Sequence, residues 1–513
     1  MRSGRFFWGV LFFVFISAGS VQSGGYALSG LGAHANGMGG AFRALADDWS
    51  AAFWNPAGLA FQTRSEFTLG GALAASRVKY LPRTTSGGYN LGFVSDSTEE
   101  RYPFDRTVPF GTGSLFLRFP QLGRLNVGIA VFTPYHTFTE WNLFSLPYPF
   151  KGETELQVPF PFPEKNFNSG IRVVDVHPTA ALSLWGGKLA LGAGLSVARA
   201  DWNFSRPVLV PIDKSFQPFF DQRDSVKAAQ VDSAERVFEN NPNLITYPEE
   251  NVVTMVRLGL GQWGVGGNLG LLFKPTEKLS IGFSYRSPIR FKLKGEYLQQ
   301  FYFPFNESKQ NYFPPSDLTL DGLRFIFSGQ GKDLFIGSNA TRVTLELPQD
   351  FGAGLAFRPS ERMTVAADFS WFNWKVMDSI PVTFENTSWD SRLGSPIFRF
   401  GWKNTIRLSA GAMYHFKDRW VFRAGWFFDQ SPIPDSTFNP LFLDVGDRHS
   451  FNLGAAYLIG SWELNYNFEI LAAQKRDFSE VNGLFVNLPG VYKDTRFTSA
   501  ASVTYRFDIQ TGK

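Results

Sequence analysis

Few side chains in this chain of 513 residues are spaced for catalysis or metal binding. Gly259, Gly261 and Gly264 match G-x-G-x-x-G, a pattern that cradles a pyrophosphate when a strand enters it and a helix leaves it. Here the flanking residues keep a two-residue period with no helix after them, and among 50 glycines such a match arises by chance. The five histidines, His34, His136, His177, His415 and His449, lack metal-ligand spacing. Zero cysteines remove disulfides, thiolate metal sites and thiol nucleophiles together. Neither a G-x-S-x-G elbow nor an H-E-x-x-H helix occurs. Arg407, Arg423, Asp368 and Glu463 fall on the polar parity of their segments, which suits ion pairs lining an interior better than acid/base pairs. The chain therefore reads as a non-enzyme with no cofactor and no metal. With 49 Lys+Arg against 45 Asp+Glu, it also reads as having no nucleic-acid partner.

The elements that carry these residues begin with an export signal. Arg2 and Arg5 precede the apolar stretch Phe6 to Ile16, and small or polar residues follow up to Ser23, the order of a secretory signal peptide. Residues 1–23 are assigned to it, with Ser20 as the alternative last residue. No run of 18 apolar residues occurs elsewhere, which excludes a bundle of membrane-spanning helices.

From about Ser65 the dominant signal has a period of two. Trp462, Leu464, Tyr466, Phe468 and Ile470 alternate with Glu463, Asn465, Asn467 and Glu469. Leu279, Ile281, Phe283, Tyr285, Ile289, Phe291 and Leu293 share one parity, and Arg290, Lys292 and Lys294 share the other. Such segments predict about fourteen strands, near 65–76, 111–119, 125–135, 172–184, 189–206, 264–274, 279–295, 341–358, 363–374, 404–416, 420–429, 448–459, 462–473 and 498–507. Short connections, such as Pro275 to Lys278 and Lys417 to Arg419, alternate with long ones. An even strand count with short turns on one side and long loops on the other predicts an all-β transmembrane antiparallel barrel of the bacterial outer membrane. Closure follows because an open edge in lipid leaves unpaired backbone groups.

The composition fits: 17% aromatic and only 18% charged residues suit a wall that must be apolar toward lipid. Trp371, Trp374, Trp420, Trp426, Tyr457 and Trp462 lie near strand ends, where interfacial girdles sit. Two regions break the rhythm. Residues 24–62 are rich in Gly and Ala and precede the first strand, as a plug in the lumen would. Residues 221–239, inside a long loop, carry a helical pattern.

Specific words then become readable. Ser29-Gly30-Leu31-Gly32, Gly37-Met38-Gly39-Gly40, Ala46-Asp47-Asp48 and Asn55-Pro56-Ala57-Gly58-Leu59, followed by His177-Pro178-Thr179-Ala180-Ala181, Leu345-Glu346-Leu347-Pro348 and Asp429-Gln430-Ser431-Pro432-Ile433-Pro434, are ordered along nearly the whole mature chain. Together they resemble the FadL/TodX family of outer-membrane channels for fatty acids and aromatic hydrocarbons.

The resemblance implies a barrel of fourteen strands over 63–507 and a hatch over 24–62 marked by Asp47, Asp48, Asn55, Pro56 and Ala57. A short tail would follow at 508–513. It implies a motif after the eleventh strand at Asp429, Ser431, Pro432 and Pro434. It further implies passive uptake of hydrophobic compounds, most readily long-chain fatty acids, through an apolar pocket, hatch movement and lateral exit at a kinked third strand. Val131, Phe132, Thr133, Pro134 and Tyr135 are the candidates for that kink, because Pro134 cannot donate to the ladder. Arg199 and Arg399 are the candidates for a ligand carboxylate. The implied partners are hydrophobic small molecules and outer-membrane lipid, with the protein a monomer. Alternatives are an aromatic hydrocarbon or alkane channel, and a structural or secretion-accessory barrel. The long loops 207–257 and 296–340 give no clear family match.

Overall fold

The computed structural model describes residues 25, 27–82, 102–104, 109–119, 125–144, 146, 150–154, 158–211, 251–308, 310–312, 336–385, 397–438, 441, 444–478 and 490–508. The predicted signal peptide, the helix expected at 221–239 and the tail beyond Asp508 lie outside them. Fourteen antiparallel strands form the wall: β1 (Ser65–Pro82), β2 (Phe110–Phe119), β3 (Leu125–Trp141), β4 (Phe167–Leu184), β5 (Leu189–Pro211), β6 (Asn251–Thr276), β7 (Leu279–Arg286, then Ile289–Asn306), β8 (Ile336–Leu347, then Asp350–Ser360), β9 (Met363–Phe372, then Ser379–Phe384), β10 (Thr405–Phe416), β11 (Trp420–Asp429), β12 (Arg448–Ile459), β13 (Trp462–Ala473) and β14 (Gly490–Phe507). Each pairs with its neighbours in sequence. The ladder from Ser65↔Phe507 to Pro82↔Gly490 joins β1 to β14 and closes the barrel.

The strand count agrees with the sequence, but several strands run farther. Pro207–Pro211, Asn251–Arg257 and Glu296–Asn306, expected in long loops, are strand. A second difference is more informative. Phe283 and Tyr285 face outward, whereas Ile289, Phe291 and Leu293, of the same parity, are buried inside. The break at Ser287–Pro288 turns the strand over. In β8, Val343, Leu345 and Leu347 are buried and Phe351, Leu355 and Phe357 are exposed, so the break at Pro348–Gln349 does the same. In β3, Val131 faces out and Phe132 in. After Thr133–Pro134 the inward side passes to Tyr135, Thr137, Thr139 and Trp141. A proline that cannot donate to the ladder and forces one extra residue into the strand accounts for each inversion.

Residues 27–62 fill the lower lumen. They contain the short helices α1 (Ala33–Gly37) and α2 (Ala51–Trp54) and a 3-10 turn, Pro56–Phe61. Wall glycines let this segment approach backbone to backbone. A Cβ on Gly192 or Gly270 would strike Pro56–Ala57, on Gly282 the Arg43 backbone, on Gly352 the Arg43 side chain, and on Gly411 or Gly425 the backbone of Met38. Above the hatch the interior is a separate aromatic and aliphatic core.

Candidate functional site: a plugged lumen beneath an apolar core

The hatch is held by buried polar groups. Asn55 is fully buried, and its amide nitrogen donates to the carbonyls of Arg43 (2.7 Å) and wall residue Leu271 (3.1 Å), while its Oδ1 accepts from the Ala57 N–H (3.2 Å). Pro56, lacking an N–H, starts the 3-10 turn at no hydrogen-bonding cost. The N-P-A word thus ties the hatch to itself and to β6. Asp48 is buried, and its Oδ1 accepts from the Ser50 N–H (2.8 Å) and hydroxyl (2.6 Å). Burial pushes its carboxyl up to about 7, against the opposing pull of those Ser50 bonds. Asp47 is half-exposed, 3.5 Å from His34 Nδ1.

Arg43 is the hatch's main cation. Its guanidinium lies 3.4 Å from Asp368 and 3.7 Å from Asp350, and Asp368 Oδ2 also accepts the N–H groups of Phe42 (3.1 Å) and Arg43 (2.9 Å). A buried carboxylate with this many donors is well compensated, and a partner left alone would be costly. On the opposite wall Arg423 donates to Asn465 (2.8 Å), and Arg506 pairs with Glu463 (2.7 Å). The inward parity read from the sequence for Asp368, Arg407, Arg423 and Glu463 is the one observed.

Above the hatch the inward side chains change character. Trp202, Phe204, Phe291, Leu293, Val343 and Leu345 are buried in one apolar core, with Trp202 and Phe204 at 5.4 and 5.0 Å from Phe398. Trp374, expected in an outer girdle, is instead buried here at 1% exposure, against Tyr135 and Trp402. The 3-10 turn Trp374–Val376, inserted between the two parts of β9, carries it inward. Trp420 and Trp462 do lie exposed on the outer wall.

The start of the hatch reaches into this upper space. Ala27 bridges to Tyr135, and the Leu28 N–H donates to the Pro134 carbonyl (3.1 Å). The Gly25 N–H donates to Asp444 (2.8 Å), Ser29 Oγ to Glu469 (2.8 Å), and Arg407 to the Ser29 carbonyl (2.7 Å). The D-x-S-P-x-P segment folds over the same place. Asp429 accepts from Arg407 (2.8 Å), the Ser431 N–H donates to Asp447 (2.9 Å), and the Pro432 carbonyl accepts from Lys403 (2.9 Å). Pro434 is extended and leads into the 3-10 turn Asp435–Thr437.

Next to this contact the described β2–β3 ladder runs from Gly113↔Val131 to Phe119↔Leu125, and β3 loses register against β4 between Phe132 and Tyr135. Among the described residues, upper β1 and upper β3 extend past the end of β2, and residues 102–104 reach both: the Phe104 N–H donates to the Glu140 carbonyl (2.8 Å) and Lys79 Nζ sits 5.5 Å from the Tyr102 ring.

The two arginines chosen from the sequence do not face this core. Arg199 lies on the outward parity of β5, half-exposed and 2.8 Å from Asp201. Arg399 is exposed, while its neighbours Phe398 and Phe400 turn to the core. The cation that follows the inward residues Trp202 and Phe204 is Arg206, which sits 5.9 Å from the Phe204 ring and beside Tyr297. Gln299, buried, donates to the Tyr297 hydroxyl at 3.1 Å. Arg206 shares parity with Trp202 and Phe204, the signal in the sequence that would have found it.

A family model described as outer membrane protein transport protein (OMPP1/FadL/TodX) matches residues 14–507. The long-chain fatty acid transport protein of Escherichia coli K12 is 24% identical over 215 residues, 40% of this chain and 43% of that protein. The chain thus matches under half the length of that curated relative. Among solved structures, a Pseudomonas aeruginosa FadL homologue superposes with a TM-score of 0.69 at 19% identity, covering 94% of this chain and all of that one. The Pseudomonas putida toluene transporter TodX gives 0.61 at 16% identity, covering 94% and 100%.

Proposed function

Because the chain belongs to the OMPP1/FadL/TodX family of outer membrane proteins, we propose that it admits hydrophobic compounds passively, with long-chain fatty acids as the preferred cargo. The observation that carries this reading is the continuous apolar core above the hatch. Each methylene moved from water into such surroundings gains about 0.8 kcal/mol, enough to capture an acyl chain without an energy source. Arg206, with Tyr297 and Gln299, supplies an edge of that core able to hold a carboxylate through charge-assisted hydrogen bonds. Cargo then leaves sideways between upper β1 and β3, once Leu28 and Ala27 release Pro134 and Tyr135. The hatch body, seated on wall glycines, stays in place, so movement is confined to the segment before Gly32.

Calorimetry with the purified barrel tests this. Oleate should bind, and Arg206→Gln should weaken it about tenfold while leaving methyl oleate unchanged, the effect of losing one hydrogen bond to a charged group. Absence of binding by both oleate and toluene, with uptake unaffected by loss of the protein, would overturn the reading. Aromatic hydrocarbon cargo is favoured instead by one observation, the ring cluster of Trp202, Phe204 and Phe398. Toluene binding tighter than oleate would select it.

A further inference from the structure

The inversion of β7 and β8 has an outer side as well as an inner one. Below the breaks the outward residues are Leu269, Val265, Phe283, Tyr285 and Phe351, an apolar surface suited to lipid. Just above them the outward residues are Arg290, Lys292 and Lys294 on β7 and Arg342 on β8, all exposed. Cations next to an aromatic belt stand where lipid headgroups begin. The periplasmic face is the one with the short turns, Lys417 to Arg419 among them, so this level is the outer leaflet.

Register places these residues in one row. Asp201 is opposite Gly261, Gly261 opposite Lys294, and Lys294 opposite Arg342. Gly259 carries no side chain, and a Cβ there would meet only Asn203 Oδ1, at 3.6 Å, so an open shelf lies beside the β7 cations. A Cβ on Gly261 would lie 2.6 Å from Asp201 Oδ1 and 2.9 Å from Arg199 Nη2, so that ion pair fills the space over Gly261 and borders the shelf. Three arginines already have acidic partners: Arg199 with Asp201 (2.8 Å), Arg290 with Glu346 (2.6 Å) and Arg342 with Glu385 (2.7 Å). Lys292 and Lys294 have no ion pair among the described residues. Below the shelf, Leu195, Trp263 and Val265 are exposed and apolar.

We propose that this shelf binds a phosphorylated glycolipid of the outer leaflet. Its phosphates would be held by Lys292 and Lys294 and by the arginines that border them, its sugar would lie over Gly259 beside the Arg199–Asp201 pair, and its acyl chains would run down past Trp263 and Val265. Ammonium and guanidinium donors suit phosphate oxygens, and the missing Cβ of Gly259 makes room for a flat sugar. Gly259 and Gly261, two of the three glycines that mimic a nucleotide motif, and the arginine that faces away from the lumen thereby share one use.

Native mass spectrometry of the full mature protein in mild detergent tests the proposal, with bis-phosphorylated lipid A, its dephosphorylated form and phosphatidylglycerol as probes. The phosphorylated glycolipid should be retained and the other two released. Retention should fall at least about tenfold in the double variant Lys292→Glu/Lys294→Glu, and less in Lys292→Gln/Lys294→Gln, which keeps the test valid if charge reversal prevents folding. Equal retention by the Gln variant and the wild type, or equal retention of the dephosphorylated lipid or of phosphatidylglycerol, would overturn it.

Discussion

The lower and upper halves of this barrel differ in what faces the lumen, and three strands, β3, β7 and β8, turn over between them. Below Pro134, Pro288 and Pro348 the outside is apolar, and the inside carries Asp368, Ser284, Asn268, Arg423 and glycines that seat the hatch. Above them the inside carries Trp202, Phe291 and Leu345, and the outside carries lysine and arginine. An aromatic content of 17% therefore serves two surfaces, one touching lipid and one enclosing space. The lower half is rigid because polar groups and backbones interlock there. The upper half is held mainly by non-directional burial, which an apolar guest can share.

Removing residues 24–62 should break this contrast most severely. Small-solute conductance in planar bilayers should rise at least about tenfold, because the polar lower wall then encloses water as in a porin lumen. An unchanged conductance would remove the plug from the lower half.

A smaller effect separates the halves energetically. Asp368→Ala leaves the Arg43 guanidinium and two N–H groups without this carboxylate, and should cost about 3 kcal/mol in urea unfolding and expose the hatch to protease. Trp202→Ala should leave hatch protection unchanged while weakening ligand binding. Equal loss of hatch protection in both variants would show one cooperative interior rather than two.

The smallest expected effect is on pH dependence. With its carboxyl raised to about 7, Asp48 holds its proton more tightly in the folded chain than in the unfolded one. Its contribution is therefore complete below about pH 4 and is lost as pH rises to about 7. His34, which burial keeps neutral, acts in the opposite sense below its ordinary range. The readout is thus the difference between the wild type and Asp48→Asn in hatch proteolysis from pH 4 to 8. Identical profiles would mean that Asp48 does not couple hatch docking to protons.

Strand number and the hatch segment were legible in the sequence because lipid demands long alternating runs and the connections differ in length on the two sides. The inversions were not. In Phe283, Tyr285, Ile289 and Phe291 the period of two continues through the break, and alternation does not say which face is inside; Pro288 was the only mark. Arg199 was chosen on the resemblance, and alternation could not test that choice, since Ala198 and Ala200 are small enough to suit either surface. The N-P-A word was readable as a turn, but its partner glycines lie more than a hundred residues away, where only the missing Cβ records the contact.

The glycine seats also constrain assembly. The hatch precedes every strand in the chain, and its backbone fits against β5, β6, β7, β8, β10 and β11, while the β1–β14 ladder that completes the cylinder needs the last strand of all. Each seat is formed only when the strands that carry its glycines stand side by side, so hatch docking is coupled to completion of the sheet.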